Sequence, residues 1–584
     1  MKFNRLSQLF LKLESTTKRL EMIDLLSTFF TEIKKSKKFE DLDKIIYLLQ
    51  GQLTPNIMQF PKMGLAEKMI IEALSVHSGV GVKRIKEVLV KKGDIGATAE
   101  FMLSKSKKQR SILDINPNED LKASIEIVEL YSKLKKIALS EGIGSHDTKL
   151  RILRGLMRKC TPLETKYLLR IITSTLRVGV QSPTIIEGLA LAFTDLKENK
   201  QFIERAYSLY PDLGEIAKVL AINGLENVKK IDIQYGIPIL SMLASRELYT
   251  EFISRLGSPF IAEYKLDGER LQIHKVGDDI MLFSRRLLDI SNQYPDVCQV
   301  IRENIKAKKV IIEGEVVAMD PFYEKMQPFQ VLSQRRRKYD IDDIAKEVPV
   351  CLFVFDLLKF GDESYVDKAF LERRGKLEEV VKERDELRLV KSITIHSTEE
   401  LLSFFNKAKE EGTEGIMAKS IKEDSIYQAG NRGYKWLKLK SLEGGKLKDT
   451  IDVVLVGAFF GKGRRTGVYG TYIGAVYDPE NDIYIAFTRF FSGLTDELSE
   501  SLTEEMESYS VERKPKNVIC EDTPDVWLNP EIVMEITGDE ITVSDKFATL
   551  GYSMRFPVFL RLRPEKSPKD ITTIKEIKEL YEIQ

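Results

Sequence analysis

The segment FIAEYKLDGER, residues 260–270, gathers carboxylate, amine and guanidinium groups within one strand and turn. Strand alternation sets Ile261, Glu263 and Lys265 on one face, and Phe260, Ala262, Tyr264 and Leu266 on the other. A lysine that ends a strand and precedes Asp267-Gly268 can emerge into a cleft beside Glu263, with Arg270 just past the turn. Taken alone, the segment reads as a surface hairpin with ordinary charges.

It does not stand alone. FSRR (283–286) supplies Arg285, and IIEGEVV (311–317) places Glu313 and Glu315 on one strand face. FVFDLLKFG (353–361) does the same for Phe353 and Phe355, and EGIMAK (414–419) offers Glu414 and Lys419. In YKWLKLK (434–440), Trp436, Lys438 and Lys440 share a face while Leu437 and Leu439 take the other. Burying the leucines would aim both lysines the same way. Residues 427–448 hold six basic side chains against one acidic, Glu443, the sharpest local basic patch in the chain. No GxxxxGK[ST] occurs, which excludes a P-loop. GKGRRTG (461–467) is glycine-rich and basic at the wrong spacing; a hairpin touching phosphate through Arg464 and Arg465 and a plain turn fit it equally.

The elements that carry these residues change texture along the chain. The first ~230 residues read as helix almost throughout. Leu168, Ile171, Ile172, Thr175 and Leu176 form an apolar stripe at helical spacing, with Lys166, Arg170 and Arg177 along another face. A turn with Gly179 follows, and Ser182-Pro183 then suits the start of a helix over 184–193. Helix, turn and helix with a basic stripe could grip a phosphate backbone; the competing reading is a solvated face. Near residue 235 short strands begin, at 260–266, 310–319, 349–358, 415–420 and 434–439, with charged helices over 368–384 and 398–411. Past Gly444-Gly445 strands dominate, at 453–460, 471–477, 483–490 and 532–541, before a last helix over 570–583. Strands of that number and length suit a small barrel.

A length of 584 residues suggests three or four domains. Ninety Lys+Arg nearly cancel eighty-nine Asp+Glu, so the chain is no basic DNA-coating protein overall, although a local basic surface is allowed. The longest apolar run, 453–460, is too short for a membrane helix, and Phe3, Leu6, Phe10 and Leu13 predict an amphipathic helix where a secretory leader would stand. Cys160, Cys298, Cys351 and Cys520 lie far apart, which excludes a sequence-local zinc ribbon and argues against a disulfide framework. A cytoplasmic protein without a membrane partner is the expectation. Four histidines, none in a metal-like pair, leave little room for a His-based metal site.

In order and spacing these segments resemble the nucleotidyltransferase motifs of ATP-dependent DNA ligases. KLDGER with SRR looks like motif I and its sequel, IEGEVV motif III, FVFDLL motif IIIa, EGIMAK motif IV and WLKLK motif V. RFPVFLRLRPEK (555–566) resembles motif VI, with Arg561, Arg563 and Lys566 in the expected places. The resemblance spans the chain and is similar in build to the archaeal and eukaryotic replicative ligases. Two residues depart from it: Leu288 stands where the family often has an acidic residue, and Val558 where it often has arginine. The resemblance implies an all-α DNA-binding domain over 1–230, an α+β adenylation domain over 231–443 and an OB-fold β-barrel over 444–584. It implies nick sealing in replication, repair and recombination by a monomer. The alternatives are an RNA ligase or capping-type nucleotidyltransferase, or a non-catalytic nucleic-acid-binding relative.

The same resemblance implies roles. Lys265 would be the nucleophile that takes AMP from ATP. A lysine near its ordinary pKa of ~10.4 is neutral in only ~10⁻³ of molecules at pH 7.5, roughly 4 kcal/mol of barrier that burial and nearby cations would reduce. Glu263 would accept from the adenine amino group and Phe355 would stack on the purine. Arg270 and Arg285 would bind ribose and phosphates. Glu315 and Glu414 would bind ribose or a divalent metal, Mg²⁺ or Mn²⁺, since oxygen ligands without His or Cys suit these ions. Arg432, Lys438 and Lys440 would neutralise the α-phosphate, and Lys419 and Trp436 would complete the pocket. Arg563 and Lys566 would orient the leaving pyrophosphate, which requires the terminal barrel to reorient between steps. Nicked duplex DNA would be held through Lys166, Arg170, Arg177, Arg464 and Arg465. KKQRSILDI (107–115), with Gln109, Ile112 and Ile115, faintly resembles a sliding-clamp-binding peptide but lacks its aromatic pair.

Overall fold

A computed structural model describes residues 1–106, 124–335, 341–440, 450–461 and 465–583. The clamp-like segment 107–115 and Arg464 lie outside the described residues, as does the side chain of Lys440. The chain forms two compact units: Met1–Ala66 with Asn116–Lys440, and Glu67–Ile115 with Ser441–Gln584.

In the first unit every described element up to Lys229 is a helix. The first, Phe3–Glu14, buries Phe3, Leu6, Phe10 and Leu13, as their spacing predicts. Helix Pro162–Ile172 begins with a capping box in which Thr161 and Glu164 satisfy each other's backbone N–H. It stops earlier than the apolar stripe suggests. Thr175 and Leu176 lie past its end, and Ser174 and Arg177 take the left-handed conformation at φ 55° and 53°. Lys166 and Arg170 are buried, each bonded to Glu14 at 2.9 and 3.0 Å. They brace the first helix and are corrected from solvent-facing DNA contacts. Burial alone would raise the Glu14 carboxyl, but hydrogen bonds from Arg170, Tyr167 and Lys166 hold it at about 2. Its folded value is depressed, so the stability it adds is present above pH ~4.5 and is lost as pH falls towards 2, on the order of 2 kcal/mol. Glu14→Gln should therefore lower the thermal midpoint of the helical signal at pH 7, and the gap to the parent should close as pH falls through 4 to 2.

Two sheets follow. The five-stranded one runs Leu243–Arg246, Arg432–Lys440, Gly415–Lys419, Phe260–Lys265, Ser392–Ile395. Phe260, Ala262, Tyr264, Leu437 and Leu439 enter its core, which aims Glu263, Lys265, Trp436 and Lys438 the other way. The second sheet runs Asp279–Ser284, Glu269–Val276, Lys309–Ala318, Val350–Phe360, Glu363–Ser364, with Leu387–Leu389 beside Val350–Phe360. Only Leu266, Asp267 and Gly268 separate Lys265, the last residue of one sheet, from Glu269, the first of the other.

In the second unit, helices Glu67–Ser78, Val82–Lys92 and Ile95–Ser106 accompany a strand-rich C-terminal region. Its eight-stranded sheet is centred on Ile451–Phe460, which pairs with Tyr469–Asp478, Val526–Leu528 and Val533–Thr537. The expected strand over 532–541 is two strands: Val533–Thr537 in this sheet, and Glu540–Val543 in a separate pair with Tyr552–Arg555. The chain breaks at Gly538, where a Cβ would lie 2.4 Å from Met554 Cγ. Helix Ile574–Ile583 closes the chain with Ile577 buried.

Candidate active site

Between the two sheets of the first unit opens a cleft of about 910 Å³. Glu263, Lys265, Arg270, Arg285, Glu315, Phe355, Glu414, Lys419, Arg432, Trp436 and Lys438 all line it. Segments as far apart in the chain as those of Glu263 and Lys438 thus converge because adjacent strands carry them. Lys265 lies opposite Gly415, and Lys419 opposite both Ile261 and Trp436, in the ladders of the first sheet.

One end of the cleft is closed and charged. Glu263 and Lys419 are 2% and 1% exposed, and Lys419 Nζ meets Glu263 Oε2 at 2.6 Å. The same amine donates to Phe355 O at 3.3 Å and lies 4.5 Å from the Trp436 ring centroid and 4.9 Å from that of Phe355. Lys419 is therefore a wall residue serving Glu263 and the aromatic surface, away from the cleft's cationic rim. Phe355 faces the cleft, whereas Phe353 packs on the neighbouring core without lining it.

Lys265 lines the cleft and is ion-paired with Glu414. Burial pushes the Glu315 carboxyl up to about 7; Lys265 and Arg270 pull it down, and Glu414 and Asp267 push it further up. Glu315 and Glu414 thus flank the amine with oxygen donors in a partly dry setting. Among the described residues no group of three His, Cys, Asp or Glu could hold a metal by itself. Two carboxylates still fit Mg²⁺, which commonly binds through one or two carboxylates plus substrate phosphates. At the outer rim, Arg285 and Arg432 are exposed and Lys438 is half-buried, a row of cations suited to a polyphosphate.

Gly268 makes the arrangement possible. A Cβ there would stand 2.2 Å from Val316 O and 2.9 Å from Glu315 Cγ. Only a residue without a side chain lets the link pass so close to the strand that carries Glu315. Gly268→Ala should displace that strand, cutting enzyme–nucleotide formation at least ~10²-fold, since small misplacements of reacting groups have that effect. Label transfer from α-labelled ATP measures it.

Two parts of the site escape the sequence motifs. One is the network around Arg270, which lines the cleft and donates to Glu313 Oε2 at 2.7 Å and to Met242 O at 2.9 Å. Tyr427 OH donates to the same Glu313 oxygen at 2.8 Å and accepts from Met242 N at 2.9 Å. Glu313 is wholly buried, so of two glutamates on one strand face only Glu315 reaches the cleft. On the adjacent strand Arg270 lies opposite Glu315 and diagonal to Glu313. The other is Arg374, on helix Phe370–Val380, which reaches Glu263 Oε1 at 3.3 Å from within the charged helix expected over 368–384.

In the second unit, Arg563 pairs with Asp452 at 3.1 Å and with Glu535 at 3.0 Å, and Lys566 with Asp452 at 2.5 Å. Arg465 donates to Leu494 O at 3.0 Å and pairs with Asp496 at 3.3 Å. No helix among the described residues is long and apolar enough to cross a membrane.

Comparison with known proteins agrees with this geometry. Residues 2–190 match the family model described as DNA ligase N terminus, residues 241–440 the ATP dependent DNA ligase domain, and residues 465–566 the ATP dependent DNA ligase C terminal region. A DNA ligase of Acidianus ambivalens is 41% identical over 592 residues, covering 100% of this chain and 98% of its own. One of Sulfurisphaera tokodaii is 41% identical over 596 residues, with coverage of 100% and 98%. The solved structure titled Pmar-Lig_Pre. shares the fold at a TM-score of 0.56 and 16% identity, covering 96% of this chain and 99% of that one. Full-length identity at this level and the matching domain models, over a cleft in which a lysine pairs with a carboxylate, place the chain in the ATP-dependent DNA ligase family.

Proposed function

We propose that this enzyme seals nicks in duplex DNA by passing AMP through Lys265 Nζ. The observation that carries the reading is the ion pair of that amine with Glu414, within electrostatic reach of Glu315, in a cleft that also holds a buried carboxylate and exposed cations. Nζ leaves its ion pair with Glu414, gives up a proton and, as the neutral amine, attacks the α-phosphorus of ATP; the N–P bond of the phosphoramidate forms as the P–O bond to pyrophosphate breaks. The AMP then passes to the 5′-phosphate of the nick, and the 3′-hydroxyl displaces it to form the phosphodiester. Glu263 accepts from the adenine amino group, and Phe355 and Trp436 face the purine. Arg285, Arg432, Lys438 and Lys440 neutralise phosphates. A divalent cation held by Glu315 and Glu414 would draw charge from those phosphates when bound.

The domain division at 1–230, 231–443 and 444–584 and an OB-fold for the last part belong to the same proposal. The branched pairing of Ile451–Phe460 with three partners supports the second. A nick has no sequence, so DNA is held through phosphates. Binding should weaken with salt at a log–log slope of about −0.9 per phosphate neutralised, and equally for unrelated sequences. Fluorescence anisotropy across a salt series measures this, and a slope near zero would remove the phosphate grip. Incubation with α-labelled ATP, then with nicked DNA or nicked RNA, tests the whole reading: covalent label, its chase into sealed DNA and poor RNA sealing are expected.

A further inference from the structure

Helix Phe370–Val380 places two adjacent arginines beneath the closed end of the cleft. Arg373 is fully buried, bidentate on Asp356 at 2.8 and 3.0 Å. Arg374 does not line the cleft, yet it is fixed in three directions. Its Nε donates to Glu378 Oε1 at 2.7 Å, its Nη2 to Val390 O at 3.3 Å and its Nη1 to Glu263 Oε1 at 3.3 Å. Lys419 holds the other oxygen, Oε2. Each oxygen of one buried carboxylate is therefore bound to a different cation, and neither cation can turn away easily.

We infer that Arg374 is a positioning residue that sets purine choice: with Lys419 it keeps Glu263 an acceptor-only group, which suits a 6-amino purine and rejects a 6-oxo one. The inference rests on the proposed contact between Glu263 and the base. A carboxylate that gains a proton can donate to a 6-oxo oxygen; one that stays ionised cannot. On balance burial lifts the Glu263 carboxyl above its ordinary range and Asp356 adds to the rise, while Lys419 and then Arg374, the cations bonded to its two oxygens, oppose it and favour the ionised form. Removing Arg374 frees Oε1 and takes away one of the two opposing charges. A site built around a fixed hydrogen-bond pattern discriminates far more strongly than an apolar one, and loosening that pattern forfeits the discrimination.

The experiment measures covalent label transfer to the full chain from α-labelled ATP, ITP (6-oxo) and purine riboside triphosphate (no 6-substituent). Arg374→Met should raise the ITP-to-ATP ratio of kcat/KM about tenfold or more, mainly through a higher KM for ATP. Arg374→Lys, which keeps the charge, should return the ratio most of the way to that of the parent. Glu263→Gln, whose amide both donates and accepts, should raise the ratio as well. If Arg374→Met lowers all three nucleotides equally with the ratio unchanged, the residue is only structural and the inference fails. If Glu263→Gln leaves the ratio unchanged, the reading of Glu263 at the base is what fails, and the role of Arg374 falls with it. Arg374→Gln serves the same comparison if the methionine variant does not fold.

Discussion

Lys265→Ala is expected to form no enzyme–AMP at all, while still sealing a nick supplied already adenylated at its 5′-phosphate. The amine is needed by the first transfer and not by the last. In the final step the 3′-hydroxyl attacks a phosphate that already carries AMP, and Lys265 has no bond to make or break. The remainder of the cleft stays in place, because Lys265 contributes one ion pair, to Glu414, and its strand is held by ladders on both sides. Lys265→Arg should behave like the alanine variant, since a guanidinium does not become neutral and cannot attack. The assay runs self-adenylation with α-labelled ATP beside sealing of pre-adenylated nicked DNA. Label on Lys265→Ala at a peptide elsewhere would assign the nucleophile to another residue. Loss of both activities with unchanged thermal stability would show that the lysine also acts at the nick.

Glu313→Ala should unfold the first unit's second sheet far more readily than any substitution at the cleft surface. Removing this carboxylate leaves Arg270 charged beneath Phe355 and Trp436 with its strongest partner gone, and deprives Tyr427 OH of its acceptor. Breaking a buried pair from one side costs about 3–5 kcal/mol. In a unit of this size that lowers the thermal midpoint by about 5 °C. Glu315→Ala, two residues along the same strand, should leave the midpoint close to the parent's and instead reduce enzyme–AMP formation. Calorimetry of both variants beside their label transfer makes the comparison. Equal midpoints for the two would mean that the Arg270–Glu313 pair is not a support of the fold.

The contrast between these two glutamates shows where the sequence was legible. Alternation placed Glu313 and Glu315 on one face, and both lie there, but period two does not tell which residue of a face sits under a neighbouring strand. Cross-strand geometry decides it, because Arg270 is diagonal to Glu313. The chemistry-bearing strands were readable because apolar residues on one face leave no choice for the other: Tyr264 and Leu437 enter the core, so Lys265 and Lys438 face the cleft. Charged helices carry no such constraint. Lys166 and Arg170 read as DNA contacts or a solvated face, and Arg373 and Arg374 only as part of a charged helix, yet each is held against a distant carboxylate that no local pattern announces. The division of 532–541 into two strands was equally hidden, since the crowding at Gly538 comes from Met554 on another strand.

The link through Gly268 has a mechanical consequence. It ties the strand of the nucleophile to the strands of Glu315 by three residues and no slack, with backbone packed directly on backbone at Val316. The separation between amine and carboxylate is thus a property of the main chain, as rigid as the hydrogen-bonded ladders on either side. Side-chain breathing at the rim, where Arg285 and Arg432 are exposed, can adapt to phosphates of different lengths without disturbing that separation. The molecule thereby divides labour between a stiff pivot, where a bond is made, and a compliant mouth, where a chain of charges must enter and leave.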